Sequence, residues 1–201
     1  MMPLIVLTGV AAAMPLINID TDMIIPGQYV KVITKEGLGP GLFHNLRYLP
    51  DGSDNPEFVL NRAPWKEARI LIAGRNFGPG SSREHAPWAL ADFGIRVVVS
   101  SLFADIFFTN AVNSGVLPVT LPEDEVQVLM VDARDPATAT MTVDLPNQRI
   151  VRANGAAFGF AIDAALKTRL VEGLDDLDLT LRDRAAIDAF VARRRSTQPW
   201  L

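Results

Sequence analysis

Short apolar runs alternate along most of the chain with segments of helical character. The apolar runs are rich in Val, Ile and Leu, which is typical of strands buried on both faces of a sheet. They cover residues 4–8, 69–73, 96–100, 116–121, 140–145 and 149–152. Helices are predicted over residues 81–93, 102–114, 160–171 and 183–195. This alternation predicts an α/β fold of mixed strands with flanking helices.

Two stretches lack a clear hydrophobic period. Residues 27–66 are rich in glycine and proline, and a tract of that length without periodicity is usually functional or mobile. Residues 174–181 are predicted to link the last two helices, with a strand as the alternative. No internal repeat is visible, so residues 1–201 are predicted to form a single domain.

Composition and charge exclude several classes of protein. Hydrophobic residues make up 49% and charged residues 21% of the chain, which excludes disorder and collagen-like fibre. The net charge is −4 and no basic stripe stands out, so nucleic acid is not an expected partner. The chain has no cysteine and only two histidines, so neither a thiolate-held iron–sulfur cluster nor a multi-histidine metal site is expected within it.

The almost wholly apolar start, residues 1–17, raises the question of a signal peptide. The first basic residue is Lys31, so the positive region that precedes a signal sequence is missing, and Gly9, Pro3 and Pro15 interrupt the run. We interpret this segment as a buried strand followed by a turn. No other segment is long and apolar enough to span a membrane, and a cytoplasmic location is therefore expected.

The strongest chemical signal is a glycine-rich turn between a predicted strand and a predicted helix. Residues 74–86 read GRNFGPGSSREHA. Backbone N–H groups at a helix start bind anions, glycine permits close approach, and Arg83 is a two-pronged donor suited to a carboxylate. A helix capping box formed by Ser81 and Glu84 is the structural alternative. A phosphate loop is excluded because no lysine follows the last glycine.

These residues also carry a resemblance to a known family. Residues 76–90, NFGPGSSREHAPWAL, resemble the signature of the small subunit of 3-isopropylmalate dehydratase, a swivelling-domain protein of the aconitase superfamily. Residues 18–26, NIDTDMIIP, resemble the N-terminal motif of that family, and residues 101–107, 113–119 and 173–181 match its later segments in the same order.

The resemblance implies a swivelling-domain fold and a share in a hydro-lyase reaction of leucine biosynthesis. Enzymes of this type isomerise 2-isopropylmalate and 3-isopropylmalate by removing water and adding it back the other way round. Their Lewis acid is one iron of a [4Fe–4S] cluster held by three cysteines. Since this chain has none, the cluster is expected on a large-subunit partner, in a heterodimer or higher heteromer. The other ligand implied is a small dicarboxylate substrate.

Individual roles follow from the same resemblance. Ser81 resembles the catalytic serine, which acts as a base in its alkoxide form, and Ser82 and Arg83 resemble the residues that bind the substrate carboxylate. Asp22 resembles an active-site aspartate that orients groups or relays a proton. From the residues alone, Asp22 equally suits a turn-capping role, for which Asp20 is the rival.

The segment around residues 27–43 resembles the flexible loop that sets specificity in this family. Val30, Val32 and Ile33 are expected to face the alkyl group of the substrate. Glu36 stands where many relatives have a neutral residue, and a different alkyl-malate, such as citramalate or dimethylmalate, is the alternative if Glu36 faces the pocket. An alternative of another class is a non-catalytic anion-binding or regulatory module in which Ser81 only caps a helix.

Overall fold

The computed structural model describes residues 1–31, 33–198 and 200. Within them the strands are β1 (Val6–Met14), β2 (Ile70–Ala73), β3 (Val97–Ser100), β4 (Leu117–Thr120), β5 (Thr140–Asp144), β6 (Arg149–Val151) and β7 (Ala157–Gly159). The helices are α1 (Thr21–Ile24), α2 (His44–Arg47), α3 (His85–Phe93), α4 (Asp105–Asn113), α5 (Glu123–Asp132), α6 (Ala164–Glu172), α7 (Asp176–Leu181) and α8 (Arg184–Thr197).

The strands form one mixed sheet in the order β4-β3-β2-β1-β5-β6-β7. The first four strands are parallel to one another, and the last three continue the sheet in antiparallel fashion from β1. Because the carboxyl ends of parallel strands meet at one edge, the segments that follow β1, β2 and β3 lie side by side. The predicted α/β class is confirmed.

Helices cover both faces of the parallel half. On one face Ala12, Leu71 and Val98 pack against α3 and α4, and on the other Ala11, Ile70 and Val97 pack against α5 and α6. The alternation follows from the two-residue period of a strand. Burial on both sides explains why the strands are continuous apolar runs rather than alternating ones.

The structure corrects several predicted boundaries. Strand β1 extends over residues 6–14 instead of 4–8, because the small side chains of Ala11, Ala12 and Ala13 fit between paired strands and α-helices. Helix α5 and strand β7 were not predicted. Helix α6 begins later than the predicted 160–171, and α8 lies close to the predicted 183–195.

Residues 174–181 contain helix α7, so the alternative of a strand there is wrong. Asp175 caps the helix by accepting from the backbone N–H of Asp178, and the Asp178 side chain accepts from the backbone of Asp175 in return. This reciprocal pair satisfies two donors that a helix start leaves open. In the part of the chain that the structure describes, no helix has the length and apolar character needed to cross a membrane.

Candidate active site

Three loops meet at the carboxyl edge of the parallel strands and are joined through their main chains. The backbone N–H of Gly78, after β2, donates to the carbonyl of Ile19, after β1, over 2.7 Å. The backbone N–H of Phe77 donates to the carbonyl of Leu102, after β3, over 2.9 Å. The loop after β2 is therefore held on both sides before it reaches Ser81.

Gly78 shows why glycine is needed at this point. Its φ is +83°, a conformation that residues with a Cβ rarely adopt, and an added Cβ would overlap the ring of Phe107. Phe107 packs in turn against Phe77, with ring centroids 5.0 Å apart. The backbone of the turn at Gly78 therefore lies directly against the packed rings of Phe107 and Phe77.

Ser81 does not cap helix α3. The helix begins at His85, four residues after Ser81, and its cap residue, Glu84, makes no side-chain capping hydrogen bond. The predicted start of this helix at residue 81 is wrong, and the structural alternative, a capping box of Ser81 and Glu84, is not formed. Ser81 and Ser82 are instead exposed on an irregular segment between Gly80 and the helix.

Arg83 and Asp22 form an ion pair across two loops. Arg83 Nη1 lies 2.6 Å from Asp22 Oδ1, and the two side chains are 21% and 61% exposed, respectively. The rivalry between the two aspartates is also resolved: Asp20 caps α1 by accepting from the N–H of Met23 over 2.7 Å. Asp22 is thus not used for capping and faces the segment that carries the serines.

The main chain reinforces this junction. Thr21 donates its backbone N–H to the carbonyl of Pro79 over 2.9 Å. Arg83 Nη1 also donates to the carbonyl of Ile25, at 3.3 Å. Among the described residues, both hydrogen bonds of Arg83 leave from Nη1, which leaves the Nε–Nη2 edge of the guanidinium for another acceptor.

The structure describes two of the three predicted specificity residues. Val30 is half-buried at the margin of the core, Ile33 is 94% exposed, and Val32 lies outside the described residues. Glu36 is exposed as well. The loop is nevertheless anchored at its far end, where the N–H of Gly39 donates to Asp92 Oδ2 over 2.6 Å.

Two contacts near the site were not predicted from the sequence. Lys35 Nζ lies 5.6 Å from the ring centroid of Trp88, which places the loop against α3. Asn18 and Asn76, with φ of +54° and +64°, are joined by a 2.8 Å hydrogen bond between their side chains. Asparagine tolerates this backbone conformation better than most residues, and the two asparagines are the one feature of the sequence that could have indicated these turns.

The flank of the site carries a shifted carboxyl group. The side chain of Ser101, after β3, donates to Glu123 Oε2, and this hydrogen bond, with a second from Gln127, holds the pKa of Glu123 below its ordinary value. The positive charge of Arg75 acts in the same direction, although less strongly. This flank therefore retains a negative charge beside the loop after β3.

The donor set does not suit a metal cluster. The sequence contains no cysteine, and no group of three or more His, Asp or Glu side chains converges as a metal site within the described residues. This chain therefore offers no ligand set for an iron–sulfur cluster.

Comparison with family models divides the chain into three matches. Residues 1–124 match the aconitase C-terminal domain, and residues 127–164 match a model described as LeuD_N. Residues 176–201 match the C-terminal domain of the 3-isopropylmalate dehydratase small subunit.

Whole-chain relatives agree with these matches. The chain is 54% identical over 195 residues to the 3-isopropylmalate dehydratase small subunit of Cereibacter sphaeroides, covering 97% of each chain. It is 55% identical to that of Xanthobacter autotrophicus, covering 98% of each. A crystal structure of 3-isopropylmalate dehydratase from Methanocaldococcus jannaschii superposes with a TM-score of 0.68 at 27% identity, covering 92% of this chain and 98% of that one.

Proposed function

This chain belongs to the family of 3-isopropylmalate dehydratase small subunits, and from that premise we propose that it works as the small subunit of a two-subunit hydro-lyase. The reaction interconverts 2-isopropylmalate and 3-isopropylmalate in leucine biosynthesis. The observation that carries the proposal is the Arg83–Asp22 pair, at 2.6 Å, beside the exposed hydroxyl of Ser81.

Ser81 is proposed as the base. In the elimination direction it accepts the proton of the C–H bond, and the electron pair of that bond becomes the new C=C double bond. The hydroxyl on the neighbouring carbon leaves as hydroxide and takes a proton from solvent to become water, while the proton held by Ser81 returns to solvent. Rehydration reverses these steps with the hydroxyl placed on the other carbon. An alkoxide is a strong enough base only if nearby donors stabilise it, and the cationic Arg83, two residues away, supports that requirement.

Arg83 and Ser82 are proposed to bind a carboxylate of the substrate. The Nε–Nη2 edge of Arg83 has the spacing of a bidentate carboxylate contact, while Nη1 is held by Asp22 and Ile25. Asp22 therefore fixes the direction of the guanidinium. Its exposed carboxylate is also suited to passing a proton between the site and solvent.

Residues 27–43 are proposed as the specificity loop. Val30, Val32 and Ile33 would cover the alkyl group after the loop moves from its position in the structure, in which Ile33 is almost fully exposed. The anchor between Gly39 and Asp92 supports movement of the preceding residues about a fixed end.

The remaining parts of the proposal concern the assembly. Since this chain has no cysteine ligands, the [4Fe–4S] cluster of the enzyme is assigned to a large subunit. Residues 1–201 would then act as one swivelling-type domain that presents Ser81 to that partner. A cytoplasmic location belongs to the same proposal.

The test combines this chain with the large subunit and measures dehydration of 2-isopropylmalate. We expect Ser81→Ala to abolish turnover with little change in thermal stability, because Ser81 does not cap α3. Ser82→Ala should mainly raise KM. Full turnover by Ser81→Ala, or by this chain alone, would contradict the proposal, as would a higher kcat/KM for citramalate than for isopropylmalate.

A further inference from the structure

Large apolar side chains are exposed at the same sheet edge as Ser81. Leu16 and Ile17, after β1, are 41% and 66% exposed. Leu102, after β3, and Ile106, in the first turn of α4, are 41% and 54% exposed. Ile17 and Leu102 also line one groove, and exposed apolar side chains that adjoin one another are typical of a binding site.

A groove of about 340 Å³ runs between two of these side chains. Its lining residues are Ile17, Asn18, Arg75, Asn76 and Leu102. The groove thus combines an apolar lining, contributed by Ile17 and Leu102, with a polar lining, contributed by the two asparagines and Arg75. Such a mixture fits a protein side chain together with its backbone carbonyl.

The polar lining of the groove is held in place by hydrogen bonds. The side-chain hydrogen bond between Asn18 and Asn76 is 2.8 Å long, and the backbone N–H of Asn18 donates to the carbonyl of Arg75 over 2.9 Å. Both asparagines have positive φ, a backbone conformation that asparagine tolerates better than most residues, and the two hydrogen bonds fix them in it. A preformed groove of this kind binds with a smaller loss of conformational entropy.

The position of the groove indicates its occupant. The carbonyl of Leu102, which lines the groove, accepts the N–H of Phe77 over 2.9 Å, and Phe77 lies four residues before Ser81, so an extended chain would separate Phe77 and Ser81 by at most roughly 14 Å. A standard protein interface covers about 800 Å² on each partner, a patch with a radius of roughly 16 Å if it is circular. A partner that completes the site at Ser81 therefore reaches the groove.

We propose that Leu16, Ile17, Leu102 and Ile106 form the docking surface for the large subunit, and that an apolar side chain of that subunit enters the groove between Ile17 and Leu102. This inference rests on the proposed function, because the function is what requires a partner at this edge. We call this apolar surface the docking edge.

The test measures the Kd between this chain and the large subunit for Ile17→Gln and Leu102→Gln. Glutamine removes the apolar contact without adding charge. Val131→Gln is the matched control, since Val131 is 64% exposed near the end of α5. Ala133, two residues later, accepts a 2.7 Å hydrogen bond from Trp65, which precedes β2, so the control lies at the opposite edge of the sheet.

We expect each docking-edge variant to weaken the Kd at least tenfold, and Val131→Gln to remain within twofold of the wild type. Circular dichroism checks that all three variants fold. A wild-type Kd for either docking-edge variant would overturn the proposal. So would weakening confined to self-association of this chain, because the occupant would then be a second copy.

The proposed function fails in a different way. If the proposed function is wrong, the wild-type chain with the large subunit does not turn over isopropylmalate, whatever the Kd values of the docking-edge variants. Ser81→Ala separates the two as well, since it should bind the large subunit with the wild-type Kd and yet not turn over.

Discussion

Arg83 reaches from the loop after β2 to Asp22 on helix α1, with Nη1 and Oδ1 only 2.6 Å apart. The two residues are 61 positions apart in the sequence. The pair therefore forms only when the loops after β1 and β2 are assembled side by side. It connects the two segments that the sequence motifs had marked separately, and it makes the orientation of Arg83 dependent on Asp22.

The first prediction concerns the charge of Asp22. Asp22→Asn keeps an oxygen acceptor for Arg83 but removes the carboxylate, so we expect kcat of the assembled enzyme to fall by about 10²–10⁴, as for loss of a general acid–base group. Stability should change by less than about 1 kcal/mol, since exposed ion pairs contribute little. Steady-state kinetics and thermal unfolding measure the two effects.

Asp20→Asn is the matched control for that variant. It removes the same charge two residues away, and asparagine caps a helix as well as aspartate does. Comparable loss of kcat in both variants would mean that general charge, and not the position of Asp22, matters.

A second prediction isolates the close contact under Gly78. Gly78→Ala should lower the free energy of unfolding by about 2–4 kcal/mol, which adds the cost of a left-handed conformation to that of overpacking Phe107. Gly52 has the same φ of +83° and nothing within 4 Å of an added Cβ. Gly52→Ala should therefore cost only about 1–2 kcal/mol in urea unfolding. Equal costs would show that the Phe107 contact relaxes freely.

The contact between Lys35 and Trp88 leads to a third prediction. Lys35→Met retains the length of the side chain and removes the cation, which should cost about 0.5–1 kcal/mol of loop attachment. Because this contact holds the loop in the position from which it must move to cover the substrate, its loss should lower KM about two- to fivefold while kcat is retained. Lys31→Met, on an exposed residue of the same loop, should leave KM unchanged. A lowered kcat with unchanged KM in Lys35→Met would contradict this role.

A fourth prediction concerns pH and Glu123. The Ser101 hydroxyl is the main cause of the lowered pKa of this carboxyl group, so Ser101→Ala should raise it toward the ordinary value. Because the pKa is lowered by folding, the associated stabilisation is present above the unfolded pKa and is lost as the pH falls through the folded pKa. Carboxyl NMR titration of both proteins measures the shift, and an unchanged Glu123 pKa would show that Gln127 and Arg75 suffice.

The sequence predicted strands β2, β3 and β4 well because their residues are buried on both faces. Each of these strands is a short continuous apolar run in the sequence. Three such runs in succession, separated by helical segments, predict buried parallel strands. Helix α5 was missed because Val126, Val128 and Val131 favour strands, whereas its acidic first turn favours a helix. Packing of Val126 and Leu129 on the sheet decided in favour of the helix.

Local rules failed where distant contacts compete with them. The spacing of Ser81 and Glu84 satisfied a capping box, yet the helix starts at His85, because Arg83 is drawn across to Asp22 and Ile25. In the same way residues 174–181 were predicted to be a linking segment, with a strand as the alternative, whereas the reciprocal caps of Asp175 and Asp178 produce helix α7. The identity of the site residues came from motifs, and their pairing came only from the fold.

The loops at the carboxyl edge are joined mainly by peptide groups, as in the bonds from Gly78 to Ile19 and from Thr21 to Pro79. Hydrogen bonds between peptide groups are formed whatever exposed side chains these loops carry, as long as Gly78 stays glycine. Exposed side chains on these loops can therefore be exchanged one at a time while Ser81 and its neighbours stay where they are.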